Sequence, residues 1–319
     1  MEVVPTSPRL GRRAGPVGEG PGEFIQTVMR EPPPSVGVHP ALRLVRVGNL
    51  GVSFAGTIVG GLVARGAGIW ISPGVWVAVL LAALSTSLVT AGGNVLNDLL
   101  DRDGDRTNHP DRPLVTGAIS VRAARALAVA LFVLGVAVVV PVILIEPLVG
   151  LLLALAVGAL LGYEFRLKSR GFVGNLVVGF LTGMVFLYGG AAAGNALLLA
   201  PFAAMAFLAT LSREVVKDME DVAGDVGRST LPKTRGMGFS GGTARVSVGT
   251  AIVLSAAPFL WFLRWGTVVG IIYLVLVLAA DAVFVLSVAY LPRRLHWEQT
   301  MSKVGMTIAL FAFLAVAFR

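Results

Sequence analysis

Nine apolar stretches, each long enough to cross a bilayer, recur along this 319-residue chain at about 41–64, 75–97, 121–141, 144–163, 172–194, 197–217, 243–263, 266–290 and 298–318. About 20 apolar residues in helical form span the roughly 30 Å hydrocarbon layer. Lipid offers backbone N–H and C=O groups no partners, so each stretch must satisfy its own groups as a helix. With 55% hydrophobic and 14% charged residues, the chain is an all-α, polytopic integral membrane protein. The third and fourth runs are separated only by Pro141 and the Glu146-Pro147 pair. Residues 1–38, rich in Pro and Gly without a sustained apolar run, are expected to be a disordered N-terminal extension, leaving 39–319 as the transmembrane domain. The absence of cysteine excludes disulfides, thiolate catalysis and zinc held by sulfur.

The net charge of +8 does not point to nucleic acid, because the basic residues fall in short loops between apolar runs. Counted loop by loop, one side collects Arg102 to Arg125, then Arg166, Lys168 and Arg170, then Arg213 to Arg245, then Arg293 and Arg294. The other side shows Arg65, Arg264 and Arg319. The positive-inside rule makes the first side cytoplasmic, with the N-terminus in and the C-terminus out in a cell membrane. Trp70, Trp76, Trp261 and Trp265 then belong to the outer aromatic belt and Trp297 to the inner one.

Two acidic clusters share the spacing D-x-x-D-x-x-x-D: Asp98, Asp101 and Asp105 after the second run, and Asp218, Asp221 and Asp225 after the sixth. Both fall on the expected cytoplasmic side. At about 100° per residue, each trio lies within roughly a 60° arc of a helix, with Asn94 and Glu214 one turn earlier on the same faces. Carboxylates at a helix C-terminus oppose the macrodipole and repel one another, so a compensating cation is expected. Hard oxygen donors favour Mg²⁺, and two such clusters on one face are able to hold a diphosphate between two ions. The loop Tyr163 to Lys168 brings cations to the same level, and Arg46 and Asn49 are polar positions within the first apolar run, where charge is costly unless it faces a cavity. Gly92-Gly93 and Gly189-Gly190 lie inside apolar runs and suit close helix packing. Asp281, alone in the eighth run, is compatible with either polar packing or a pathway.

The motif Asn97-Asp98-x-x-Asp101-x-x-x-Asp105 followed by Asn108-His109-Pro110-Asp111-Arg112-Pro113, the Tyr163-x-x-x-x-Lys168 loop, and the second cluster leading into Ser229-Thr230-Leu231-Pro232 resemble the UbiA superfamily of intramembrane prenyltransferases. The resemblance implies a nine-helix bundle around a central cavity, capped by cytoplasmic loops. It implies that the six Asp residues hold two Mg²⁺ against a prenyl diphosphate, with Lys168 assisting departure of the diphosphate. Asn97, Arg46 and Asn49 would orient the substrate, and Asn94, Arg112, Tyr163, Arg213 and Lys217 would complete the binding surface.

Within the superfamily, Arg213-Glu214-Val215-Val216-Lys217-Asp218-Met219-Glu220-Asp221 is most similar to the archaeal digeranylgeranylglyceryl phosphate synthases. That branch implies a lipid phosphate acceptor drawn from the membrane and a geranylgeranyl donor. The alternative within the superfamily is an aromatic acceptor such as 4-hydroxybenzoate. An ion-coupled transporter is the alternative of another class, although transporter acids gather near the midplane rather than at helix ends on one side.

Overall fold

A computed structural model describes residues 39–223, 229–261 and 263–319. The expected N-terminal extension, 1–38, and Asp225 lie outside the described residues. Among the described residues thirteen α-helices follow one another, and there is no strand. They are α1 (Pro40–Val45), α2 (Val47–Arg65), α3 (Pro73–Leu100), α4 (Arg102–Asn108), α5 (Val121–Ala137), α6 (Val140–Ile143) and α7 (Pro147–Gly162), then α8 (Phe172–Ala192), α9 (Ala200–Glu220), α10 (Leu231–Leu254), α11 (Ala257–Trp261), α12 (Val268–Ala289) and α13 (Leu295–Val316). Among the described residues, nine helical segments are long and apolar enough to cross a membrane.

Two boundaries differ from the sequence expectation. The first run is broken at Arg46, which adopts φ 56°, ψ 68° between α1 and α2. A non-glycine residue in this left-handed region is strained, and here it is held by side-chain bonds described below. The seventh span begins at Leu231 rather than near 243. Lys233 and Arg235 dilute the apolar signal without opposing helix formation, Pro232 sits in the first turn, and Gly236 (φ 83°) kinks the chain. Between the third and fourth spans, Pro141 lies in the first turn of α6 and Pro147 opens α7, so the marked residues do make the turn.

Successive spans meet, α2 with α3, α3 with α5, α8 with α9, α9 with α10 and α12 with α13. Contacts of α2 with α8 and of α13 with α2 and α9 close the bundle. Small residues permit the tightest approaches, as packing inside lipid requires. A Cβ at Gly189 of α8 would fall 2.0 Å from the Thr57 carbonyl oxygen of α2, so only glycine lets these backbones meet. Phe186, Phe202 and Phe313 stack edge-to-face beside that contact, at 5.7 and 4.8 Å between ring centroids. The buried Ser85 hydroxyl donates to the Gly135 carbonyl at 2.6 Å and pairs with the Tyr188 hydroxyl at 3.2 Å, tying α3, α5 and α8 together. The opposite face of α5, with Val129, Val133 and Leu134 exposed, presents a surface suited to lipid.

Candidate active site

The first acidic cluster grows out of the end of α3. Asp101 ends that helix at φ −86°, ψ −1°, yet the helical bonds continue from Asp101 N–H to the Asn97 carbonyl and from Asp105 N–H to the Asp101 carbonyl, both 2.9 Å. The predicted shared face therefore survives the passage into α4. Asp98 and Asp105 are buried, at 3% and 5% exposure, and meet cations from elsewhere in the chain. Arg46 donates to Asp98 at 2.6 Å and to the Asn97 side-chain oxygen at 3.2 Å. Arg112 bridges the two acids, donating to Asp98 at 3.0 Å and Asp105 at 2.5 Å. These two partners of the Arg46 side chain account for its strained backbone.

Lys168 supplies the third cation. A π turn over Tyr163–Leu167, closed by the Lys168 N–H to the Tyr163 carbonyl at 3.0 Å, widens the end of α7. From there the Lys168 ammonium contacts Asp101 and lies 3.8 Å from Glu164. Asn97 donates its side-chain amide to both Glu164 oxygens, at 3.0 and 3.2 Å. Four carboxylates (Asp98, Asp101, Asp105, Glu164) thus meet three cations (Arg46, Arg112, Lys168) in one network, which leaves an excess of negative charge.

The second cluster ends α9. Asn175, buried at the start of α8, donates to Asp218 at 2.8 Å, and Asp221 begins a 3₁₀ turn over Asp221–Ala223. Arg213 donates to Glu214 at 2.8 Å. Asp218 and Asp221 share a small polar cavity of about 60 Å³ with Tyr163, Lys168 and Lys217. The cap loops converge there. A Cβ at Gly171 (φ 56°) would fall 1.9 Å from the Ser229 carbonyl oxygen, so glycine is required where these loops touch.

Both clusters open onto one cavity of about 1450 Å³. Its polar end carries Asp101, Asp105 and Asp221 with Arg46, Arg112, Tyr163, Lys168, Arg213 and Lys217, and also Asn49, Asn94 and Asn97. Of the residues singled out from sequence, Asp98 lies behind this wall and Asp218 in the smaller cavity. Asn94 donates to the Val45 carbonyl at 2.8 Å and so braces the break between α1 and α2. The rest of the cavity is mostly apolar, lined by residues such as Leu153, Leu181, Val185, Phe186, Met205 and Phe313, with hydroxyls such as Thr86, Thr90 and Thr182 between them. Asp281 is the acid in that apolar part, accepting a 2.9 Å hydrogen bond from Ser255.

Among the described residues no three carboxylate or imidazole groups stand together around one point, and each carboxylate of the first cluster is engaged by a cation of the chain. The donor set nevertheless fits a hard divalent ion: the two clusters offer carboxylate oxygen and no sulfur, and the excess negative charge has no counterion within the network. Sequence reasoning assigned no role to Glu164, and left Glu214 and Asn175 unassigned beside the site. Glu164 follows Tyr163 in a loop already singled out. Lys168 lies one turn after it in sequence, whereas Asn97, which grips it, comes from α3 and is not announced by residue types.

Residues 53–315 match the UbiA prenyltransferase family. The chain belongs to this family. The digeranylgeranylglyceryl phosphate synthase of Methanopyrus kandleri is 37% identical over 280 residues, covering 86% of this chain and 97% of that protein. A solved digeranylgeranylglyceryl phosphate synthase structure superposes with a TM-score of 0.72 at 31% identity, covering 88% of this chain and 98% of the other. The structure of a UbiA homologue from Archaeoglobus fulgidus bound to GPP and Mg²⁺ shares the fold, with a TM-score of 0.63 at 19% identity over 88% of this chain and 98% of that one. This UbiA-family protein is a multi-pass membrane prenyltransferase.

Proposed function

We propose that the protein transfers a geranylgeranyl group from its diphosphate to geranylgeranylglyceryl phosphate, an ether-forming step of archaeal lipid synthesis, on the cytoplasmic side of the cell membrane with its N-terminus in and C-terminus out. The observation that carries this reading is a single cavity whose polar end joins both acidic clusters to Arg213 and Lys217, and whose remainder is mostly apolar. The polar end suits two anionic headgroups, and the apolar part suits two prenyl chains. The relatives bearing the digeranylgeranylglyceryl phosphate synthase name, matched over nearly their whole length, support the same acceptor.

Asp98, Asp101 and Asp105, with Asp218, Asp221 and Asp225, would hold two Mg²⁺, which supply positive charge to the diphosphate as it departs. Lys168, Arg46 and Arg112 are the chain's own contribution to the same task. Each now rests on a carboxylate, and each carries donors suited to phosphoryl oxygens, Lys168 as a point charge and the arginines as forks. As the allylic C–O bond breaks, negative charge grows on the leaving oxygen, and these donors, shared between their carboxylates and the diphosphate, would stabilise it. The apolar walls at Val185, Phe186 and Met205 keep water from the electron-poor allylic carbon. The acceptor's glycerol hydroxyl oxygen forms the new C–O bond and releases its proton to a carboxylate at the polar end.

An acceptor comparison in proteoliposomes tests the reading, with labelled geranylgeranyl diphosphate and Mg²⁺. The phosphorylated lipid should react roughly tenfold to a hundredfold faster than its dephosphorylated alcohol, the effect of one lost charge-assisted contact. Faster prenylation of 4-hydroxybenzoate overturns the acceptor assignment. Solute flux without any diphosphate would favour transport.

A further inference from the structure

The chain entering α10 leaves one buried polar group without the bond that its position would ordinarily give it. Thr230 immediately precedes the first turn of α10, with φ −71° and ψ 158°, where a threonine hydroxyl commonly accepts from a backbone N–H of that turn. Here its side chain makes no such bond. The Thr230 carbonyl serves the helix instead, accepting from the Thr234 N–H and the Thr234 hydroxyl, both at 3.1 Å. Thr230 is 3% exposed, and its Oγ1 is buried with no hydrogen-bond partner among the described residues.

Neighbouring backbone fixes Thr230 in that place. The Ser229 N–H donates to the Ser169 carbonyl at 3.4 Å, and a Cβ at Gly171 would fall 3.0 Å from the Thr230 Cα. Thr230 thereby lines the small cavity of about 60 Å³, with Lys168, Glu214, Lys217, Asp218 and Asp221. That volume has room for ordered water, which needs roughly two to four polar partners. Two ammonium groups stand there against three carboxylates, so the charge is largely balanced and a neutral guest suits the space. Valine would fill the Thr230 position equally well without burying an unmatched hydroxyl, so filling space does not account for the residue.

We propose that Thr230 is a positioning residue for the divalent ion of the second cluster: its hydroxyl holds a water in the small cavity, and that water is one of the ion's ligands; this rests on the metal reading above. Mg²⁺ dehydrates reluctantly, and an ion bound by one or two carboxylates, here Asp218 and Asp221, keeps several waters. A hydroxyl both donates and accepts, so it can orient one of them, and partners behind metal ligands fix an ion's place in this way. Thr230 touches neither substrate, and its effect passes through the water.

The test is Mn²⁺ binding to purified full-length protein, measured by equilibrium dialysis at a fixed excess of inorganic pyrophosphate and without prenyl substrate, so that affinity rather than turnover is read. Thr230→Val keeps the shape and removes the hydroxyl, and it should weaken one of the two Mn²⁺ sites about 10- to 100-fold, the usual effect of losing a partner behind a metal ligand. Thr230→Ser keeps the hydroxyl and should bind within about threefold of wild type. Thermal unfolding of metal-free Thr230→Val should match wild type, because no capping bond is lost. Equal weakening in Thr230→Ser overturns the proposal, since the methyl group rather than the hydroxyl would then be what matters. If Thr230→Val does not fold, Thr230→Ala removes the same hydroxyl, and wild-type Mn²⁺ affinity in it overturns the proposal. If wild type binds no Mn²⁺ beside pyrophosphate, the metal reading and this inference fall together. If wild type and Thr230→Val bind it equally, only this inference falls.

Discussion

Replacing Lys168 with Met separates two jobs that the structure assigns to one ammonium group. In the wild-type network Lys168 contacts Asp101 and lies 3.8 Å from Glu164. Met keeps most of the alkyl stem, so packing changes little, but Asp101 loses its ion-pair partner in the network. Glu164 keeps the two bonds from Asn97. Asp101 is partly open to the cavity, so water relieves part of the loss, and a cost of about 1–2 kcal/mol in stability is expected. The effect on chemistry should be larger. A fixed cation aimed at a leaving diphosphate is comparable to one oxyanion-hole donor, so turnover should fall about 100- to 1000-fold, or roughly 2.7–4 kcal/mol. Thermal unfolding in detergent measures the first quantity, and release of labelled pyrophosphate in proteoliposomes measures the second. Adding Asp101→Asn to Lys168→Met removes the stranded carboxylate, so stability should recover while activity stays low. Near-normal turnover in Lys168→Met would refute the reasoning, and so would recovery of turnover in the double variant, which would mean that Lys168 only neutralises Asp101.

Gly189→Ala places a methyl group 2.0 Å from the Thr57 carbonyl, so α2 and α8 must separate; unfolding measurements should show a loss of about 1–3 kcal/mol, as for overpacking elsewhere. Stripping divalent ions with a chelator should abolish turnover without unfolding the bundle, and Mg²⁺ should restore activity where Zn²⁺ does not, because the clusters offer only carboxylate oxygen; full activity in the chelator, measured by pyrophosphate release, would count against the proposed metal site.

The spans were legible because lipid gives an apolar run of 20 residues little choice but to become a helix. The start of α10 was not, since Lys233 and Arg235 dilute the apolar signal of its first turns. The break at Arg46 was equally invisible, because neither glycine nor proline stands at it and it is sustained by bonds to Asn94, Asn97 and Asp98, all distant in sequence. Within the site, repeated spacing announced the Asp clusters, and Asp101, Asp105 and Asp221 do line one cavity. Glu164 carries no such repetition, and its two bonds from Asn97 join residues 67 apart in the chain, which residue order does not encode locally.

The central claim is that two clusters more than a hundred residues apart act as one site. Pyrophosphate release by Asp101→Asn, Asp221→Asn and the double variant, at saturating Mg²⁺ and both substrates, tests it directly. Each single variant should lose about two orders of magnitude or more, roughly 3 kcal/mol of transition-state stabilisation, and the double variant should be little worse than the poorer single one, since either loss disables the same unit. Near-normal activity in either single variant, or losses that simply multiply in the double variant, would contradict the shared site.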